Sequence, residues 1–294
     1  MTGRLALPLI ALLLLASLLL QVRRDQGWHA YQPTTPLLWF QHADVVKRGA
    51  LGFDSLVADL YWIRAVVYYG RQRLSDERRN NYDLLYPLLN LVTTLDPGFS
   101  VAYRFGAIFL CEAAPGGPGR PDQAIALLER GASYSPQRWE YLHDLGFVHA
   151  FGRRDYQQAA ASFQRASEIS GAPPWLKSTA ASMAVRGGDR AVARQLWQQL
   201  YDQPENEWFK RTAEIHLAQF DALEAIDQLN QLVWRHQGRT GRMPSSWQEL
   251  IAAGVLTSVP ADPAGVPFEI DPVNQDVELS KQSPLWPFPE GYTR

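Results

Sequence analysis

The amino-acid sequence predicts an all-α body, a superhelix of stacked antiparallel helix pairs, closed by a small C-terminal cap that mixes a short helix with a β-hairpin. Three observations predict it. A small residue followed four positions later by a bulky one returns at about 34 residues, in Ala124-x3-Leu128, Ala159-x3-Phe163 and Ala193-x3-Trp197. Apolar residues between positions 53 and 236 recur at intervals of three and four, the period of a helix with one buried face. Turn formers such as Asp96-Pro97-Gly98, Ser170-Gly171-Ala172-Pro173-Pro174 and Gly187-Gly188-Asp189 interrupt that period where a two-helix unit has to reverse. A single unit of this size cannot bury its apolar face alone, so each must lean on the next.

The first element is the run Leu5 to Val22, almost uninterrupted Leu, Ala and Ile between Arg4 and Arg23-Arg24. A membrane-spanning helix needs about 20 apolar residues, so residues 1–24 are expected to form a transmembrane signal-anchor. A cleaved signal peptide is the competing reading, but no small-x-small site ends the run and no lipobox cysteine follows it. An N-in anchor would place the body on the periplasmic or extracytoplasmic side. Residues 25–52, with Pro33, Pro36 and scattered aromatics, lack a sustained helical period and read as a lead-in lying over the first helices.

The repeat region is expected over 53–237. Its first pair runs from Phe53 to Tyr69, with Leu56, Val57, Leu60, Tyr61, Ile63, Val67 and Tyr68 making a wide inward face, and from Tyr82 to Leu95. Asp54-Ser55 is the expected N-cap of the first helix and Gly70 its stop. The second pair spans Val101 to Leu110 and Pro121 to Tyr134, around a long loop at 114–120. The third spans Trp139 to Phe151 and Tyr156 to Ile169, and the fourth Trp175 to Val185 and Arg190 to Tyr201. The fifth spans Glu207 to Ala218 and Ala222 to His236, with Ala225 and Leu229 in phase. The small residues let the second helix of a pair approach the first, and Gly106 and Gly146 do the same from the first helices.

From Gly238 the pattern changes. A short helix begins at Ser245-Ser246-Trp247 and ends at Gly254, and a small two-stranded hairpin is expected where the segment from Val259 to Ile270 leads through Asp271-Pro272-Val273-Asn274 into Val277-Glu278-Leu279. The Pro-rich tail from Ser283 to Pro289 is expected to lie extended on this cap.

Leu145-Gly146, Tyr156, Ala159, Phe163 and Ala166 together resemble the tetratricopeptide repeat family over roughly residues 55–236. The fourth and fifth units carry Ala181 and Ala213 where that pattern prefers Gly, and lack its closing Pro, which leaves three to five repeats. The resemblance implies a right-handed superhelix whose groove is lined by the first helix of each pair. Carried over unit by unit, it implies groove residues Tyr103, Glu140, His143, Phe147, Trp175, Arg186 and Lys210. The mixture of aromatics with few charges suits a peptide or helix with apolar anchors better than a free carboxylate. The C-terminal series Gly241-x-x-Pro244, helix, Gly254 and Pro260-x-Asp262-Pro263 also resembles a short module at the ends of some pseudopilin-like and exported proteins; its plainer reading is a cap.

Little else in the chain points to chemistry. A net charge of −2 and an Arg run broken by Asp76 and Glu77 offer no field for a phosphate backbone, so nucleic acid is not an expected partner. The single cysteine, Cys111, cannot make an intramolecular disulfide and reads as a small core residue. Gly116-Gly117-Pro118-Gly119 lacks the Lys-Ser or Lys-Thr of a phosphate loop, and no Gly-x-Ser-x-Gly elbow occurs. Glu140 and His143 lie one turn apart on a helix, but six residues between His143 and His149 put the two histidines on roughly opposite faces, so no metal and no cofactor are expected. The expected function is therefore a membrane-anchored scaffold, not an enzyme, that binds a protein or peptide in an envelope assembly. The alternatives are a ligand-binding or enzymatic C-terminal module supported by the repeats, and a self-association module.

Overall fold

The computed structural model describes residues 13–23, 43–75, 81–271 and 273–292. Two compact units divide the chain, residues 1–41 and 42–294. In the first, α1 covers 13–23, and its Leu13, Leu14, Leu15, Leu18, Leu19 and Leu20 are all exposed. The start of the expected anchor and the lead-in over 24–42 lie outside the described residues. Among the described residues no helix is long and apolar enough to cross a membrane.

The second unit is mostly helical, with one small antiparallel sheet near its C-terminal end. Its helices are α2 (Ala43–Gly49), α3 (Asp54–Arg73), α4 (Leu85–Leu95), α5 (Ser100–Cys111), α6 (Pro121–Tyr134), α7 (Trp139–Phe147), α8 (Tyr156–Ser167), α9 (Trp175–Arg186), α10 (Arg190–Asp202), α11 (Glu207–Thr240) and α12 (Trp247–Ala252). From α3 onward each helix packs chiefly on its neighbours in the chain, with second-neighbour contacts between α2 and α4 and between α5 and α7. The repeat phase explains the close pairs. Ala124, Ala159 and Ala193 are fully buried, and Leu128, Phe163 and Trp197 one turn later fill the adjoining space. A Cβ on Gly146 would sit 2.9 Å from the Phe163 ring, and one on Gly106 would sit 2.8 Å from Leu89 Cδ2, so both helices approach as closely as glycine permits.

Several starts follow local chemistry. Asp155 and Asp189 cap α8 and α10 by accepting the N–H groups of Gln158 and Val192, both at 3.0 Å. Asn206 caps α11 through Trp208 N–H at 3.0 Å and Phe209 N–H at 3.2 Å. Pro121 occupies the first turn of α6, where its missing N–H costs nothing.

Five expectations are corrected. The fifth pair is one continuous helix, α11, because Gln219, Phe220 and Asp221 include no residue that stops a helix and Gln219 and Phe220 are buried in its middle. The third pair's first helix ends at Phe147 and passes into a π-helical turn, Val148–Arg153, closed by Arg154 in the left-handed region (φ 55°). Helix α3 continues past Gly70 to Arg73, and no side chain caps its start. Its inward residues are Ala58, Tyr61, Ala65 and Tyr68, whereas Leu56, Leu60, Ile63 and Val67 form an exposed apolar stripe on the opposite face. A short helix, α2, also forms within the expected lead-in.

The C-terminal region is built on the second half of α11. Strands β1 (Glu269–Asp271) and β2 (Asp276–Glu278) pair antiparallel, with Ile270 opposite Val277. Ile226, Leu229 and Val233 of α11 join Trp247, Leu250, Phe268, Val277, Leu279 and Leu285 in one core cluster. Trp247 Nε1–H donates to Phe268 O at 2.7 Å, so the indole is buried without an orphaned donor. Glu249 accepts Ser245 N–H at 3.0 Å and pairs with Arg242, which together pull its carboxyl down to about 2. The tail does not stop at the cap. Beyond Leu285 it crosses to α9, α10 and α11.

Candidate functional site

The expected groove residues separate into three groups. His143 and Phe147 come together with Arg104, Ala107, Ile108, Cys111, Asp144 and Phe151 around a pocket of about 550 Å³ between α5 and the α7–π-turn segment. Trp175 joins from α9, its ring 5.6 Å from that of His143. Glu140 lies one turn before His143, half-buried and outside the pocket lining. Arg186 is on α9 but is engaged by the chain's own Glu290. Lys210 is further along on α11, its Nζ 5.8 Å from the centre of the Tyr201 ring.

Tyr103 does not face a groove. It is 1% exposed, its ring meets Tyr141 edge-on at 5.6 Å, and a Cβ on Gly131 would lie 3.0 Å from it. The glycine opens a slot that the ring fills, and the Tyr103 hydroxyl donates to Thr93 O at 3.3 Å. This is a packing residue between α5 and α6.

The pocket's floor is a polar pair that sequence reasoning missed. Arg104 Nε donates to Asp144 Oδ2 at 2.6 Å and Arg104 Nη2 donates to Asp144 Oδ1 at 3.3 Å. His143 Nδ1 lies 2.8 Å from Asp144 Oδ1, which fixes the imidazole against the Phe163, Trp139 and Trp175 rings. The hydrogen bond to Asp144 raises the Arg104 pKa, with burial working against it. The two charges answer each other, and what the pocket presents is apolar. Ile108, Phe147 and Phe151 line it while remaining substantially exposed, Phe151 to 63%. The π-turn carries Phe151, and Gly152 beside it admits Cys111 Sγ where a side chain would clash, at 2.6 Å from an ideal Cβ. Cys111 is thus half-buried at the pocket wall rather than a core residue, and burial raises its pKa. The available sequence signal was positional: Arg104 and Asp144 occupy facing helices of successive pairs, 40 residues apart.

The corresponding face of the next helices is filled. Gln219 Nε2 donates to Leu285 O at 2.9 Å and to Pro287 O at 3.3 Å, Arg190 Nη2 donates to Tyr292 O at 2.8 Å, and Arg186 pairs with Glu290. Tyr292 is buried against Phe220, ring centres 4.7 Å apart, with its hydroxyl 3.0 Å from His216 Nδ1. His216 in turn stacks on Trp197 at 4.0 Å. Burial pushes the Tyr292 phenol up and the His216 imidazole down, so both are neutral at physiological pH. Gly291 passes so near α9 that a Cβ there would lie 2.8 Å from Arg186 Cα.

Among the described residues no group of three or more His, Cys, Asp or Glu side chains is placed to hold a metal ion. Comparison of the chain with protein-family models, with curated proteins and with solved structures finds no match.

Proposed function

We propose that this chain is a membrane-tethered scaffold whose second unit is a tetratricopeptide-like right-handed superhelix, and that it holds an apolar helix or peptide of a partner protein in an envelope assembly. The observation that carries the reading is the open pocket of about 550 Å³, walled by Ala107, Ile108, Phe147 and Phe151 over a self-neutralised Arg104–Asp144 pair. Exposed aromatic rings around a concavity are costly in water and become favourable once a partner's apolar side chain displaces that water. The tether rests on the run from Leu5 to Val22 and on the exposure of six leucines in α1, a helix that needs lipid or protein around it.

Selection of random twelve-residue peptides on the full chain in detergent micelles tests the groove. Peptides with two or three apolar anchors spaced three or four residues apart are expected, binding at least tenfold more weakly to a Phe147→Ala, Phe151→Ala variant. Selected peptides without such anchors, or peptides indifferent to both substitutions, would count against the proposal.

One observation favours a second reading, self-association. The stripe Leu56, Leu60, Ile63 and Val67 on α3 is exposed at helical spacing. That reading predicts a dimer in light scattering which Leu60→Asp, Ile63→Asp converts to a monomer.

A further inference from the structure

A second concavity, of about 680 Å³, lies between the second half of α11 and the C-terminal strands, separate from the groove discussed above. Its lining has an unbalanced charge. Asp227, Asp276 and Glu278 face it, and among the described residues the only cation in the lining is Arg190. Both ends of that guanidinium are committed, Nη1 to Asp227 Oδ2 at 3.0 Å and Nη2 to the Tyr292 carbonyl at 2.8 Å. Among the described residues the Asp276 carboxylate accepts only its neighbour's amide, Val277 N–H at 2.9 Å, and the Glu278 carboxylate has no hydrogen bond or ion pair. Two carboxylates therefore remain without a counter-charge.

Two indoles accompany them. Trp234 is 46% exposed and Trp286 48%. Trp234 Nε1–H donates to Gln275 O at 3.1 Å, which ties down the polar edge of that ring while the rest of it lines the pocket. Aromatic rings together with carboxylates attract cations, through the negative ring faces and the full charges.

Asn230 adds an independent polar signal. It is 6% exposed yet lines the same pocket. Its Oδ1 accepts Val277 N–H at 2.7 Å, an assignment the donor enforces, because only the oxygen of the amide can face an N–H. That leaves Nδ2 as a donor with no protein partner among the described residues, on a residue that lines the pocket. An occupant of the pocket can therefore offer it an acceptor such as a peptide carbonyl in place of water.

We propose that this pocket binds a lysine- or arginine-bearing peptide segment, the cationic head between Trp234, Trp286 and the Asp276 and Glu278 carboxylates, and a backbone carbonyl on Asn230 Nδ2. A neutral sugar would also stack on indoles, but it leaves both carboxylates uncompensated.

The test is tryptophan-fluorescence and calorimetric titration of the full chain in a non-ionic detergent with N-acetyl-trilysine amide, N-acetyl-triglutamate amide and maltotriose. Saturable binding of the lysine peptide alone is expected, weakening as salt rises because the pairs are partly exposed. Trp234→Leu is expected to weaken it about three- to tenfold. Asp276→Asn with Glu278→Gln, which keep the Val277 contact and the strand, are expected to do so at least as strongly. Glu168→Gln with Glu205→Gln, an equal change of charge elsewhere on the surface, should leave binding unchanged. The proposal is overturned if the wild-type chain shows no saturable binding of the lysine peptide, if maltotriose or the glutamate peptide binds as well, or if the two charge-neutralised variants lose binding equally.

Discussion

The α5–α7 half of the second unit and its α9–α11 half are built by the same packing rule, yet one leaves its face open and the other closes it with its own tail. In the open half Phe147 and Phe151 face solvent around a pocket; in the closed half Tyr292 is 1% exposed and stacks on Phe220. The difference teaches how a face of this kind is recognised. The tail is held through backbone carbonyls, by Gln219 and Arg190, and through one aromatic anchor and one carboxylate. The open half offers apolar surface, but the arginine lining its pocket, Arg104, already pairs with Asp144. It therefore suits an occupant that brings side chains rather than exposed carbonyls, as a helix does.

The sharpest way to break the comparison is Tyr292→Ala. Removing a fully buried aromatic should destabilise the closed half by about 3–5 kcal/mol, visible as a lower denaturant midpoint, and should release the tail to proteolysis. The open half should keep its peptide binding; loss of both would mean that the two faces are not independent.

Gly146→Ala comes next. A Cβ 2.9 Å from the buried Phe163 ring should cost roughly 1–3 kcal/mol by overpacking, and because Phe163 also touches His143 it should weaken groove binding too. Unchanged thermal stability would show that the helices can separate without penalty.

Acidification bears on both halves, because burial also lowers the His149 pKa in the π-turn, but tail protection reads the closed half alone. Burial holds the His216 pKa below its ordinary value of 6.5, so the folded state favours the neutral ring. The unfolded chain takes up that proton first as pH falls. The contribution to stability is thus complete above about pH 6.5 and is lost as pH drops from there toward the folded pKa. Tail protection against proteolysis should decrease between pH 7.5 and 5.5, and His216→Gln should flatten that profile.

The smallest effect on stability is expected for Phe147→Ala with Phe151→Ala. Phe147 is 45% and Phe151 63% exposed, so the unfolding free energy should fall by no more than about 1 kcal/mol while groove binding falls. A large loss of stability would make these rings structural.

Much of this architecture was legible in the sequence wherever local signals and the repeat agreed. Helix α6 begins at Pro121 and ends at Tyr134 as expected, and Ala124, Ala159 and Ala193 are buried, whereas Ala225 is only half-buried and Ala222 takes the buried small position on α11. The hairpin strands and their turn also lie where the alternation placed them. The failures have physical causes. The repeat asked for a turn near Gln219, but helix formation obeys neighbours, and no neighbour there breaks it. Helix α3 is apolar on both faces, so its period could not say which face turns inward. Tyr103 has the spacing of a groove residue, and only the glycine on the opposite helix reveals why it points in. The filling of the closed half was invisible because Arg186 and Glu290 are 104 residues apart and an extended tail has no period to read. Of the expected groove residues, His143 and Phe147 share the open pocket, and Arg104 and Asp144 beneath them carried no motif.

The unbroken α11 has a mechanical consequence. At 1.5 Å per residue its 34 residues make a strut about 50 Å long, gripped near one end by α10 and at the other by the C-terminal cluster. No hinge interrupts that strut, so a pull or twist delivered to the strands reaches His216, stacked on Trp197 of α10, through a continuous ladder of backbone hydrogen bonds. Whatever seizes the far end of the molecule therefore also leverages the berth of Tyr292.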